Sequence, residues 1–336
     1  MWVSTGTGLC RYDGFSFTPA VADSLTEAFA GVSFKDSKGN LWFGHSNGSI
    51  SVFNGRKFEV ISVEGNVTSS INGLTEDKDG NILAISQSNG LIRINKRKKA
   101  EVLVKPFEGK LLYALNITMR NELLIGTDDG VIVYSYGEDL NSIKETGKIE
   151  KIALSKVQSV YKQGNADLFF IGTEDAGFFK IFRKEGQKQF QVENLGAVLN
   201  LEYENIQAVY QDLENNLWIS TFGKGLIKAI VNENGKILDA INYNSVNGLG
   251  SDYIKNVFQD REGNIWVSTY GNGLAALVDE SFTFFDYRDK IGKNISAVAF
   301  HPGGYFLGGD KGLLKVTNGI KKEVKILWYR QRITCR

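Results

Sequence analysis

Cysteine is almost missing from this chain. Its two cysteines, Cys10 and Cys335, stand at opposite ends of 336 residues. They build neither a disulfide framework nor a metal knuckle, and they leave the redox compartment open. Histidine is as scarce, with only His45 and His301. Each sits at a turn signal, which argues against a histidine-based metal site or a Ser-His-Asp triad. No run of about 18 apolar residues occurs, so the sequence holds no transmembrane helix. The opening MWVSTGTGLC lacks the basic and apolar regions of a signal peptide. Neither sign of charge dominates: 39 basic and 38 acidic residues give a net charge of +1. That balance gives no support for nucleic acid or a membrane surface as partner. Proline is rare too, at three residues.

Glycine is abundant, with 37 residues, and 42% of the chain is hydrophobic against 23% charged. This is the composition of a folded globule rich in tight turns. The turns are periodic. Eight segments align, among them NLWFGHSNGSISVF from Asn40, NLWISTFGKGLIKAI from Asn216 and NIWVSTYGNGLAALV from Asn264. A glycine opens one strand of each unit, at Gly8, Gly48, Gly90, Gly130, Gly177, Gly225, Gly273 and Gly312. A period of roughly 40 to 50 residues is that of a four-stranded propeller blade.

The seventh unit shows the four strands. Tyr253 to Gln259 is apolar-rich, Asp260 to Gly263 turns, and Asn264 to Thr269 returns. Tyr270 to Asn272 turns again, Gly273 to Val278 follows, and Phe282 to Tyr287 is the fourth. Such short, β-branched and aromatic runs between Gly, Asn and Asp are strands, and no segment keeps a helical period. The expectation is an all-β fold, a β-propeller of four-stranded antiparallel blades. Seven blades is the first choice and eight the second. The first unit lacks a strand before Trp2, which the stretch Val324 to Tyr329 or sequence outside this chain would supply. Residues 1–325 form the propeller and 326–336 a tail. Both ends read as cut from a longer protein.

Plain structural roles account for the motif residues. Asp36, Asp77, Asp212 and Asp260 precede tight turns, where a carboxylate accepts turn amides. Trp42, Trp218 and Trp266 share one position and are expected to pack between adjacent blades. Leu83, Leu124 and Phe169 are expected to replace them in the third to fifth units. The acidic turns GTDDG and GTEDAG allow a calcium reading through Asp128, Asp129, Glu174 and Asp175. No segment has the spacing of an EF-hand loop, so solvated β-turns are favoured. The basic run Lys96 to Lys99 reads as a rim turn. No cofactor or metal is expected, and no residue is assigned a catalytic role.

Binding residues concentrate on loops carried by a rigid scaffold. The turns between the second and third strands vary most, and they nominate a ligand face. It comprises His45, Asn47, Asp128, Asp129, Glu174, Asp175, Phe222, Lys224, Tyr270, Asn272, Asp310 and Lys311. Aromatic rings that stack on sugar C–H surfaces, beside groups that hold hydroxyls, suit a carbohydrate. The same mix suits a protein surface.

The phrases DSKGNLWFGHSNG, DLENNLWISTFGKGL and DREGNIWVSTYGNGL resemble the two-component regulator propeller repeat. That repeat runs Asp, two variable residues, Gly-Asn-Leu-Trp, a short strand ending in Gly-Thr, then Gly-Leu. The resemblance implies the periplasmic sensor region of a bacterial hybrid histidine kinase, as in Bacteroidota. It implies a non-catalytic, ligand-sensing propeller, an oligosaccharide ligand and a homodimeric receptor. The family plan has fourteen repeats before its membrane helix and kinase, so any kinase activity belongs to parts outside this segment. The alternatives are a protein-interaction scaffold and, behind it, a polysaccharide-active enzyme.

Overall fold

The computed structural model describes residues 1–5, 8–13, 16–20, 29–63, 65–152, 154–184, 186–278, 281–282, 295–301, 304–309, 312–317 and 320–324. They form eight antiparallel sheets, seven of four strands and a first of three. The three strands of the first sheet are Trp2–Thr5, Gly8–Tyr12 and Phe17–Pro19. Each later sheet begins with an innermost strand: Ala30–Lys35, Ile71–Glu76, Leu112–Ile117, Val157–Lys162, Ile206–Gln211, Ile254–Gln259 and Ile295–His301. The fold is thus all-β, as the repeat requires. Helix is confined, among the described residues, to the four-residue turn Gly196–Leu199 and three 3-10 turns. The expected fourth strand of the seventh sheet is only Ser281–Phe282, and residues 283–287 lie outside the described residues.

The innermost strands of the second to seventh sheets pack side by side, so these sheets radiate from a common axis. The first sheet meets the second through Trp2, whose ring lies 5.1 Å from both Phe53 and Phe58. It also meets the seventh, where Tyr12 lies edge-on to Trp266 at 5.5 Å.

A carboxylate at the end of the innermost strand fastens four of the sheets. Asp212 Oδ1 accepts the amides of Glu214 at 3.0 Å and Asn216 at 2.8 Å. Its Oδ2 accepts the Asn216 side-chain amide at 2.9 Å and the Trp218 indole at 2.8 Å. Asp36 holds Trp42 and Asp260 holds Trp266 in the same way, at 2.9 and 2.7 Å. In the third sheet Leu83 replaces tryptophan, and the Tyr136 hydroxyl of the fourth sheet donates to Asp77 at 2.7 Å instead. The donor changes and the acceptor stays. Burial and the neighbouring Asp77 charge both push the Tyr136 phenol upward, so it remains a donor at neutral pH.

Trp218 joins a buried cluster with Leu226 of its own sheet and Ile254 and Val267 of the next. Trp42 does likewise between the second and third sheets. Trp42 and Trp218 therefore fill the space between neighbouring sheets. The fifth-sheet equivalent requires a correction. Strand register pairs Tyr161 with Phe170 as it pairs Tyr210 with Trp218. Phe170, not Phe169, holds the tryptophan position, because a one-residue slip turns a side chain to the other face. Phe170 packs toward the sixth sheet and Phe169 toward the fourth.

Asp36 carries a pH dependence. Burial alone raises its carboxyl, but the Trp42 indole, the Asn40 side-chain and backbone amides and the Lys38 amide outweigh it and hold the pKa below the usual carboxylate value. A depressed folded pKa stabilises the fold above the unfolded value, near 4, and that contribution is lost as pH falls through the folded value. Between about pH 5 and pH 3, the urea midpoint should therefore fall further for the native chain than for Asp36→Asn. Equal slopes in the two proteins would remove Asp36 from the account.

Candidate functional site

The turns between second and third strands share one face with the entries to the innermost strands. Amides of the turns bond carbonyls just before those strands: Gln87 to Ser70 at 2.8 Å, Glu174 to Lys156 at 2.9 Å, Phe222 to Asn205 at 2.9 Å and Tyr270 to Tyr253 at 2.9 Å. The second residue of each innermost strand then stands near the axis at this face. The first residues, such as Val157, Ile206 and Ile254, are buried, while Tyr113, Gln158, Gln207 and Lys255 are half-buried or exposed.

These residues form a connected polar arc. Gln158 donates to Asn205 at 2.9 Å, and Gln207 donates to both Asn205 and Gln158. The Tyr270 hydroxyl donates to Gln207 at 2.7 Å. Burial raises the Tyr270 phenol against the opposing charge of Lys156, so the ring is neutral at physiological pH. Lys156 sits 4.7 Å from the Tyr113 ring and pairs with Glu174 at 3.1 Å. Lys255 lies 5.0 Å from the Phe29 ring and 5.9 Å from that of Tyr270.

Beside the arc stands an aromatic cluster open to solvent. Phe222 packs against Tyr253 at 4.7 Å and Tyr270 at 5.2 Å. Exposures of 43%, 47% and 41% for Phe222, Tyr253 and Tyr270 leave ring surface for a ligand. Large aromatic surface beside fixed amides and two ammonium groups can hold a polyhydroxylated or polar ligand.

The structure gathers some of the nominated turn residues here and sends others elsewhere. Phe222 and Tyr270 are in the cluster, and Glu174 reaches the arc through Lys156. Lys224 turns to Glu204 at 3.4 Å, and Asn272 donates to the Gly250 carbonyl at 2.9 Å. Asn47 caps its own turn at Ser49. Asp128 is exposed, while Asp129 bonds Lys148 and the Leu154 amide, and Asp175 accepts from the Ser155 hydroxyl. The bond from Lys148 is the main cause that lowers the Asp129 carboxyl. Among the described residues no group of three His, Cys, Asp or Glu gathers for a metal ion.

His45, nominated for the ligand face from its place at a turn, requires a correction, for it is buried in a strand. It ends the strand Leu41–His45, is 1% exposed, and lies 2.8 Å from the Ser51 hydroxyl. Asp310 and Lys311 lie outside the described residues.

Tyr113, Lys156, Gln158, Asn205, Gln207 and Lys255 were not among the nominated residues. For Gln158, Gln207 and Lys255 the signal was present in the strands VQSVYK, IQAVYQ and IKNVFQ, where a polar second residue stands after a buried apolar one.

A separate cleft of about 620 Å³ is lined by residues of the third and fourth sheets, at the turns that end their innermost strands. Its main polar groups are already engaged, Arg93 with Glu101 at 3.0 Å and Tyr136 with Asp77.

Residues 248–271 match the two component regulator propeller family model. A search of curated proteins finds no match. Among solved structures, the extracellular domain of the putative hybrid two component system BT4673 from B. thetaiotaomicron is similar at 21% identity and a TM-score of 0.61. That match covers 98% of this chain and 44% of the other, so this chain spans less than half of that domain. Virginiamycin B lyase from Staphylococcus aureus matches at 12% identity and a TM-score of 0.57, over 85% of this chain and 93% of the lyase. The Cps50 (Swd1) β-propeller domain of Myceliophteria thermophila matches at 12% identity and 0.56, over 91% and 97%. At these identities the structures speak for the fold alone. The family match therefore rests on residues 248–271, and the solved structures add that the fold is that of a β-propeller.

Proposed function

We propose that this chain is a non-catalytic, ligand-sensing propeller, the extracytoplasmic sensor portion of a two-component receptor that works as a homodimer. Its ligand is an oligosaccharide bound at the mouth of the axis. The observation that carries this reading is the exposed Phe222–Tyr253–Tyr270 cluster joined to the Gln207–Asn205–Gln158 amide arc. Rings take the C–H faces of a sugar, while the amides and Lys156 take its hydroxyls.

A thermal-shift screen over an oligosaccharide panel tests it. A cognate sugar should raise the melting temperature by linkage. Tyr270→Ala should weaken that sugar by about tenfold or more, since it removes both ring surface and a hydrogen bond. A flat response across the panel would favour a protein-binding scaffold. Release of reducing sugar by the purified chain would favour a polysaccharide-active enzyme.

A further inference from the structure

The chain is nearly neutral, yet its charge is not spread evenly. Antiparallel strands put the turns from first to second strand, and from third to fourth, on the face opposite the mouth of the axis. On the second and third sheets those turns read DSKGN from Asp36, NGRK from Asn54, DKDGN from Asp77 and NKRKK from Asn95. The second sheet exposes Lys38, Arg56 and Lys57 there, and the third exposes Lys78, Lys96, Arg97 and Lys99. Asp79 is the single exposed carboxylate in the four turns. Asp36 and Asp77 are buried and taken up by the amides of their own turns.

The four turns form one surface. Ser37, in the first of them, donates its amide and hydroxyl to Glu76 of the third sheet at 2.7 and 2.8 Å. A Cβ on Gly80 would lie 3.3 Å from Lys96 Cε, so the two turns of the third sheet touch. Lys98 crosses to Glu59 of the second sheet. The turns are also fastened internally. The Asn54 side chain accepts the amides of Arg56 and Lys57 at 3.0 Å, and that of Asn95 accepts those of Arg97 and Lys99 at 2.9 and 3.1 Å. Like charges held together on such a frame repel one another, and an anionic partner relieves that repulsion.

We propose that this surface holds a linear acidic polysaccharide, a chain whose sugars carry carboxylate or sulfate groups, at a site separate from the mouth. Charge and shape select that class. A flat anionic bilayer would also press on the rest of the face, where the sixth and seventh sheets expose Glu214, Glu233 and Glu262. A narrow chain meets only the cationic sector. Single-stranded nucleic acid binds by stacking its bases on aromatic rings, and the four turns contain none. A chain of spaced anions needs only what the turns supply, ammonium and guanidinium donors on a fixed frame.

Polygalacturonate and dextran sulfate are the probes, with methyl-esterified polygalacturonate and plain dextran as uncharged controls. The native chain should bind at least one charged probe at low salt and neither control, and added salt should weaken the binding. Lys96→Gln, Arg97→Gln and Lys99→Gln together should raise Kd about thirtyfold, the loss of three exposed ion contacts. Lys184→Gln, Lys188→Gln and Lys236→Gln remove the same charge from exposed positions on the fifth and sixth sheets, and should change Kd by less than about twofold. Tyr270→Ala should leave this binding intact, and its loss there would move the binding to the mouth and overturn the proposal. Equal losses in the two triple variants would reduce the effect to net charge and overturn it as well. So would failure of both charged probes to bind, or a tighter hold on phosphatidylglycerol vesicles or single-stranded DNA through the same lysines.

Discussion

Asp212→Ala should destabilise the fold by about 3–5 kcal/mol, the range for removing one partner from a buried charged network. The side chain is buried and accepts four donors, two turn amides, the Asn216 side chain and the Trp218 indole. Alanine satisfies none of them. Asp212→Asn keeps one acceptor oxygen for the two turn amides but presents an NH2 group to the indole, so a loss of about 1–2 kcal/mol is expected. Urea denaturation of the three proteins measures both steps. Equal losses for alanine and asparagine would show that the oxygen retained for the turn amides contributes nothing and that the charge and the second oxygen carry the whole effect.

A pair of glycines separates two kinds of backbone constraint. Gly225 has φ +81°, and a Cβ there would lie 2.2 Å from the Tyr243 carbonyl oxygen. Gly263 has φ +90° but would meet only the Gln259 side chain, at 3.9 Å. Gly263→Ala should cost about 1 kcal/mol, the strain of a left-handed conformation. Gly225→Ala adds a collision with backbone that cannot rotate away, and about 3 kcal/mol or more is expected. Thermal or urea unfolding of the two variants reads the difference. Similar losses would mean that the outer strand Ile237–Tyr243 yields to the new methyl group.

These two pairs show which kinds of information the sequence carried openly. The Asp-x-x-Gly-Asn turns and the strand-opening glycines are local features, with donors and acceptors a few residues apart, and their periodic recurrence was visible in the sequence. The bond from Tyr136 to Asp77 spans 59 residues and joins two sheets, so no local pattern announced it. The candidate site was legible in part. Phe222 and Tyr270 occupy variable turns and were found there. Gln158 and Gln207 sit inside strands, where a polar residue between apolar ones looks like ordinary alternation. Only the radial arrangement of the sheets brings those side chains to one mouth. His45 misled for the opposite reason: its place at a strand end suggested solvent, yet the neighbouring sheets bury it.

The contact between Tyr12 and Trp266 also governs how the molecule comes apart. Each innermost strand touches mainly the one before and the one after it, so stability passes between neighbours like coupling in a one-dimensional lattice. A closed loop of equal couplings has no preferred point of failure. Here, among the described residues, the two links that flank the first sheet lack the innermost-strand packing present at every other junction from the second sheet to the seventh. Thermodynamically the loop therefore behaves as a linear array with two ends, and opening starts at those ends. Amide protection should then be greatest near the fourth and fifth sheets and decline in both directions along the chain toward the second and the seventh.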